Sequence, residues 1–163
     1  MDFITGLPKS KKQNDSIFVV VDKLSKETHF IPMKLTYKEV HIVDIFLKEI
    51  FRLHRIPKEI ISNRDTKFTK NFWRSLFFEL DTWLKFCTTY HSQTDGQRER
   101  VNQIVEDMFR MYVMNNPTRW EDYLHLAKFV YKNSYQDSTK MSPFEVLYGQ
   151  KCRTPVTWES PVD

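Results

Sequence analysis

The order of strand-like and helix-like segments constrains the fold of this 163-residue chain most strongly. Residues 16–22 form a β-branched apolar run too short for an independent helix, and residues 28–33 follow a polar turn, so the two segments are predicted to form a hairpin. A short strand over residues 1–5 precedes them. Apolar residues then recur at helical spacing over 40–51, and residues 59–62 are typical of a strand. A helix followed by a strand indicates an α/β crossover with parallel pairing.

The second half of the chain continues this alternation. Apolar spacing predicts helices over residues 69–80, 98–114 and 120–135, with a strand over residues 83–89 between the first two. The residues beyond Arg153 carry two prolines and are predicted to be loose. The sequence therefore predicts one α/β domain.

Two of the helices have recognisable start signals. Thr36 and Glu39 have the spacing of a capping box, in which each side chain binds the backbone N–H of the other residue. Ser142 and Glu145 have the same spacing, with proline at the first helical position between them. We expect this last short helix to end at Gly149.

The composition excludes several classes of protein. Hydrophobic residues make up 40% of the chain, which favours a globular domain over a disordered polypeptide. Cys87 and Cys152 have no Cys/His ligand spacing nearby, so neither a disulfide scaffold nor a zinc module is expected. His29 and His54 are interpreted as structural or exposed side chains that no spacing pairs as ligands. With no run of roughly 20 apolar residues and no signal peptide, the chain is expected in the nucleus or cytoplasm rather than in a membrane or outside the cell.

The positive charge is unevenly distributed. The net charge is only +4, but residues 48–74 contain eight Lys or Arg residues against three acids. A basic stretch of this kind is most often a solvated surface. The alternative is a surface that binds the backbone of a nucleic acid.

Three places could hold chemistry. Residues 90–96 form a polar loop before a helix, where free N–H groups and the side chains of Arg98 and Arg100 could bind phosphate, although an ordinary capped helix explains the same pattern. Residues 60–65 place polar groups at the end of a predicted strand, where ligands of α/β sheets gather. Asp2 lies among apolar residues, and a buried carboxylate needs a cation or a metal unless it faces solvent.

Four motifs in order give these places a common meaning. They are residues 1–8 (MDFITGLP), 60–65 (IISNRD), 90–103 (YHSQTDGQRERVNQ) and 141–149 (MSPFEVLYG). Together they resemble the integrase catalytic core of gypsy-type LTR retrotransposons. The resemblance implies an RNase H-like α/β fold over residues 1–155, with a mixed five-stranded sheet of three antiparallel strands and then parallel strands, flanked by helices. Residues 156–163 would form a loose tail.

In the family that the chain resembles, three carboxylates hold two divalent metal ions. Asp2 matches the first, Glu99 matches the third, and the second falls on residue 63, with 35 residues between it and Glu99. This chain has Asn63 there. Asn supplies one neutral oxygen where two Mg²⁺ or Mn²⁺ ions need negative charge, so weak metal occupancy and impaired catalysis are expected. The nearby Asp65 is not expected to replace the missing acid, because a shift of two residues moves the side chain too far.

The resemblance also implies roles in DNA binding. Five residues would form a mobile loop beside the scissile phosphate: Tyr90, His91, Gln93, Thr94 and Gln97. Four basic residues would contact phosphates: Arg64, Lys67, Arg98 and Arg100. The implied partners are the ends of the element and the target DNA, together with a possible second copy of the chain. No membrane and no small-molecule substrate are expected.

Two functions follow as alternatives. The first is an integrase core that performs 3′-processing and strand transfer, impaired by Asn63. The second is a catalytically inactive RNase H-like module that binds DNA or protein. A nuclease from another branch of the fold is disfavoured by the motifs at residues 93–97 and 142–145. Integrases of this family carry a zinc module before the core and a further domain after it, so we expect the chain to be a core whose first strand is truncated.

Overall fold

A three-stranded antiparallel sheet lies at the centre of the described structure. The computed structural model describes residues 1–54, 60, 70–80 and 92–153. Within those ranges the strands are β1 (Asp2–Ile4), β2 (Ser16–Val21) and β3 (Thr28–Met33), in the order β1-β2-β3. The predicted hairpin of β2 and β3 and the predicted first strand are therefore confirmed.

The central strand β2 is buried on both faces. Ile17 and Val19 point to one side of the sheet and Phe18 and Val20 to the other, because side chains alternate along a strand. All four are at most 8% exposed. A strand with apolar side chains on both faces requires a covering layer on each face, and helices supply both layers.

The face with Phe18 and Val20 is covered by the first helical region. The helix α1 (Glu39–Phe46) continues through a π-helical segment (Leu47–Phe51) into a final turn, α2 (Arg52–His54), and α3 (Lys70–Leu80) packs beside it. The core residues of α1 and the π-helical segment lie on one face at helical spacing, as the sequence predicts. They are Ile42, Val43, Phe46 and Ile50.

The face with Ile17 and Val19 is covered by the second helical region. The helix α4 (Ser92–Met108) runs into a π-helical segment (Phe109–Val113), and a 3₁₀ turn (Pro117–Arg119) leads into α5 (Trp120–Asn133). Trp120 is fully buried in this layer. Its indole N–H donates a hydrogen bond to the carbonyl of Pro8, 2.8 Å away, which attaches the start of α5 to the chain after β1.

The capping predictions have opposite outcomes. The last helix, α6 (Pro143–Tyr148), has the complete capping box of Ser142 and Glu145 and ends at Gly149, whose φ of 68° is left-handed. The capping box predicted for Thr36 and Glu39 is wrong. The helix begins one residue after Lys38, which makes no side-chain cap hydrogen bond.

Several predicted elements lie wholly or largely outside the described residues. They are the strands over 59–62 and 83–89, which would complete a five-stranded sheet, and the tail over 156–163. Ile60, the single described residue of the first, packs against the core with Phe46 and Phe72. Within the described part of the chain, no helix combines the length and the apolar character that a membrane span needs.

Candidate active site

Asp2 lies on the sheet face that α4 covers. It pairs in register with Val19 of β2, and paired residues point to the same side of a sheet. Val19 packs in the core layer that contains Val101 and Val105 of α4. The Asp2 carboxylate accepts a hydrogen bond from the backbone N–H of Phe3 at 2.7 Å, and the side chain is only half-buried. The carboxylate is therefore oriented by its own strand and lies at the margin of the core.

Glu99 lies on α4, seven residues after the helix begins at Ser92, and within the third motif. Its side chain is exposed, whereas Val101 and Val105 on the adjoining face of the helix are buried against the sheet. Asn102 and Glu106 follow Glu99 at spacings of three and seven, so the three side chains share one face of α4.

A cleft of about 540 Å³ separates β1 from this face of α4. Ile4 and Thr5 line it on one side, and Asn102 and Glu106 line it on the other. Asp2 precedes Ile4 on the same face of the strand, and Glu99 precedes Asn102 on the same face of the helix. The two predicted metal ligands that the structure describes thus belong to the two elements that form one cleft.

The structure also contains a pair of histidines that the sequence interpretation missed. The Nε2 atoms of His29 and His54 lie 2.8 Å apart, although the two histidines are 25 residues apart in sequence. The interpretation of the two residues as structural or exposed is confirmed, since His29 is buried and His54 is exposed, but the contact between their rings was not foreseen. His29 is buried, and desolvation, with smaller effects from the charges of Lys128 and His54, lowers the pKa of its imidazole to about 4. It is neutral at pH 7.

This pairing has a cause in the fold and a signal in the sequence. His29, Ile31 and Met33 alternate along β3 on the side of the sheet that α1 covers. On the helix side, His54 follows Ile50 by four residues and so lies on the same face of that helical region, although its own side chain is exposed. The sequence signal for this contact was therefore His54, which follows the apolar stripe of a helix, together with His29 in a buried strand.

The chain is similar to known proteins in sequence and in fold. The Tf2-3 and Tf2-4 transposon polyproteins of Schizosaccharomyces pombe are each 36% identical to the chain over 148 residues, which is 91% of the chain and 11% of each polyprotein. The simian T-cell lymphotropic virus intasome, solved with a PP2A regulatory subunit, contains a chain that superposes with a TM-score of 0.63 at 17% identity, over 99% of this chain and 58% of the other.

The catalytic core domain of HTLV-2 integrase, solved with magnesium in a trimeric form, superposes with a TM-score of 0.60 at 17% identity. The match covers 89% of this chain and 93% of that domain. The chain is related to a segment of these transposon polyproteins and has the fold of an integrase catalytic core. No family model matches the sequence. The resemblance inferred from the four motifs and the RNase H-like α/β fold that it implied are both confirmed.

One predicted feature of the integrase-like core needs correction. Residues 90–96 were expected to form a loop before a helix starting near Arg98, but α4 already begins at Ser92. The backbones of Gln93, Thr94 and Gln97 are therefore helical, and these residues do not belong to a loop. The prediction failed because the polar residues 92–96 add no apolar periodicity and include Gly96, a poor helix former.

The remaining predicted site residues of the integrase-like core are only partly described. Five of them lie outside the described residues: Asn63, Arg64, Lys67, Tyr90 and His91. For four others the structure describes the backbone but not the side chain: Gln93, Thr94, Gln97 and Arg98. Arg100, one residue after Glu99, is described, and its side chain is partly exposed. Within the basic stretch, the ammonium of Lys48 binds Asp44 at 2.8 Å, while Arg52 and Arg74 are exposed.

Proposed function

We propose that the chain is the DNA-joining core of a transposon integrase, which performs 3′-processing and strand transfer, and that Asn63 impairs its catalysis. The observation that carries the proposal is the common cleft of β1 and α4. Asp2 and Glu99 are 97 residues apart in sequence. Neither lines the cleft itself, but Asp2 lies two residues before Ile4 and Glu99 three residues before Asn102, on the faces of β1 and α4 that line it. The magnesium bound by the HTLV-2 core supports the same chemistry here.

The donor set fits divalent metal ions incompletely. Two Mg²⁺ ions, when bound, stabilise the attacking and leaving oxygens of a phosphodiester. Asp2 and Glu99 would each supply a carboxylate, the hard oxygen ligand that Mg²⁺ prefers. Asn63 would supply a neutral oxygen, so the site would carry two negative charges rather than three. The loss of a charge weakens the attraction that must overcome the repulsion between the ions.

Metal binding tests this account. We expect calorimetry with Mg²⁺ to show one weak site or none in the unmodified chain and two sites in the Asn63→Asp variant, because the restored carboxylate offsets the repulsion between the ions. Asn71→Asp is a matched control, since it makes the same change at an exposed position of α3. Two tight sites in the unmodified chain would contradict the proposed effect of Asn63.

DNA binding tests the proposed partner. The basic stretch and Arg100 should bind duplex DNA through its phosphates, so affinity should fall steeply with salt concentration. Removing one phosphate contact with Arg100→Gln should reduce the slope of log affinity against log salt by about 0.9. Arg119→Gln removes the same charge from an arginine already paired with Asp122 at 2.8 Å, and it should leave the slope unchanged.

Fluorescence anisotropy over a range of salt concentrations measures both slopes. If the unmodified chain shows no binding at low salt, the integrase proposal fails. The second candidate function, an inactive module that binds DNA, fails with it. This second candidate is favoured by one observation only, the loss of an acid at residue 63. Both candidate functions predict the same binding to DNA. The inactive module, however, should gain no activity when Asn63 is replaced by Asp.

A further inference from the structure

A cluster of potential metal ligands lies away from the cleft of β1 and α4. Glu27, His29 and His54 each direct one ligand atom into a space where all three atoms lie within 4.8 Å of one another. The cluster joins three places in the fold: the turn before β3, the strand β3 itself and the last turn of the first helical region, α2. Its ligands are far apart in sequence, since His54 is 25 residues from His29.

The surroundings hold two of the three ligands in position. His29 is 9% exposed and is fixed by the pairing of β3 with Val20 of the central strand. The ammonium of Lys132 on α5 binds the Glu27 carboxylate at 3.2 Å, and both side chains are largely buried. His54 is exposed at the end of its helix, so its ring has room to adjust.

We propose that Glu27, His29 and His54 form a binding site for one divalent transition-metal ion, with Zn²⁺ as the ion that best fits the ligands. Two imidazole nitrogens and one carboxylate oxygen are a known zinc ligand set, and they leave a fourth tetrahedral position for water. Magnesium prefers oxygen ligands alone, so it should not compete well for this site.

The geometry needs a small adjustment. Two nitrogens bound at about 2.0 Å to a tetrahedral ion lie about 3.3 Å apart, whereas the Nε2 atoms are now 2.8 Å apart in a hydrogen bond. One of the two Nε2 atoms carries the proton of this hydrogen bond, and on binding that proton moves to the Nδ1 of the same ring, so that both Nε2 lone pairs bind the ion. Binding therefore replaces the hydrogen bond with two metal bonds and separates the rings slightly. The exposed ring of His54 can supply that movement.

Charges near the cluster act in both directions. Lys132 and Lys128 raise the electrostatic cost of a cation beside His29, and Lys132 also competes for the Glu27 carboxylate. Asp22 acts the other way, since its carboxylate interacts with His54. Removing the competitor with Lys132→Ala should tighten zinc binding.

The consequence for the fold is a cross-link. A bound ion would fix the end of α2 to β3, nine residues before Asn63 in sequence. It would hold the beginning of the basic stretch against the sheet. The ligands differ from Asp2, Asn63 and Glu99, so this inference does not depend on the proposed catalytic function.

Zinc titration of the full chain tests the site. With Cys87 and Cys152 replaced by Ser to remove thiol binding, we expect calorimetry with Zn²⁺ to show one ion bound, not displaced by excess Mg²⁺. His54→Ala should weaken binding at least tenfold, because even the loss of a residue that supports a ligand costs about 10–100-fold in affinity. His125→Ala, at an exposed position of α5, is the matched control and should leave binding unchanged.

Cobalt provides a second measurement that reports ligand geometry. Co²⁺ in the same chain should give the intense visible absorption of a tetrahedral site, and His54→Ala should remove it while the far-UV circular dichroism of the metal-free protein stays the same. The proposal is overturned if His54→Ala binds Zn²⁺ as tightly as its parent, or if the parent binds none. In the latter case the two histidines form only a hydrogen bond.

Discussion

The Asn63→Asp variant is expected to join DNA strands at least about a hundredfold faster than the unmodified chain, since one preorganised group that stabilises transition-state charge is worth about 10²–10³ in rate. The restored carboxylate would complete a set of three acids with Asp2 and Glu99 and would raise metal occupancy. Strand transfer and disintegration of a branched oligonucleotide, each with Mg²⁺ and with Mn²⁺, measure the gain.

The control for this gain is Asn71→Asp, which adds the same charge at an exposed position of α3 and should not change the rate. Strong activity in the unmodified chain would contradict the proposed effect of Asn63. An inactive Asn63→Asp variant that still binds DNA would favour the alternative function, a binding module without catalysis.

Trp120→Ala should destabilise the protein by about 3–5 kcal/mol, the usual cost of removing a large aromatic side chain from a core. Trp120 is completely buried, and its indole N–H donates a hydrogen bond to the carbonyl of Pro8. The substitution leaves a cavity in the layer of α4 and α5, and it leaves the Pro8 carbonyl without this donor. Urea unfolding followed by circular dichroism measures the loss.

Two further variants separate the causes of this loss. Trp120→Phe keeps much of the packing but removes the indole donor, so it should cost less than Trp120→Ala. Phe129→Ala lies on the same helix, where its side chain is 44% exposed, and it should cost no more than about 1 kcal/mol. Equal losses for Trp120→Ala and Phe129→Ala would show that burial in this layer contributes little to stability.

The parts of the fold that were predicted correctly are those with a strong local pattern. The hairpin of β2 and β3 follows from apolar runs separated by a polar turn. The helix α6 was predicted from the capping box of Ser142 and Glu145 at its start and from Gly149 at its end. Each signal involves residues within about one turn of the helix end that it marks. Such signals need no knowledge of the rest of the chain.

The errors arose where local signals were weak or distance in sequence was large. The capping box at Thr36 and Glu39 has the correct spacing, yet the helix begins after Lys38. The pairing of His29 with His54 depends on how the first helical region packs on the sheet, which spacing alone does not encode. Asp2 and Glu99 were proposed through resemblance to a family, and the cleft that joins their two elements follows only from the packing of β1 and α4.

The central claim is that Asp2, residue 63 and Glu99 act as one metal-binding unit. The most direct test measures strand transfer by four variants. They are Asn63→Asp alone, Asn63→Asp with Asp2→Asn, Asn63→Asp with Glu99→Gln, and the combination of all three changes. Groups that act as a unit are not additive. We therefore predict that either added change returns the rate to that of the unmodified chain, and that both together cost no more. Retention of the gained activity with Glu99→Gln or Asp2→Asn would contradict the account.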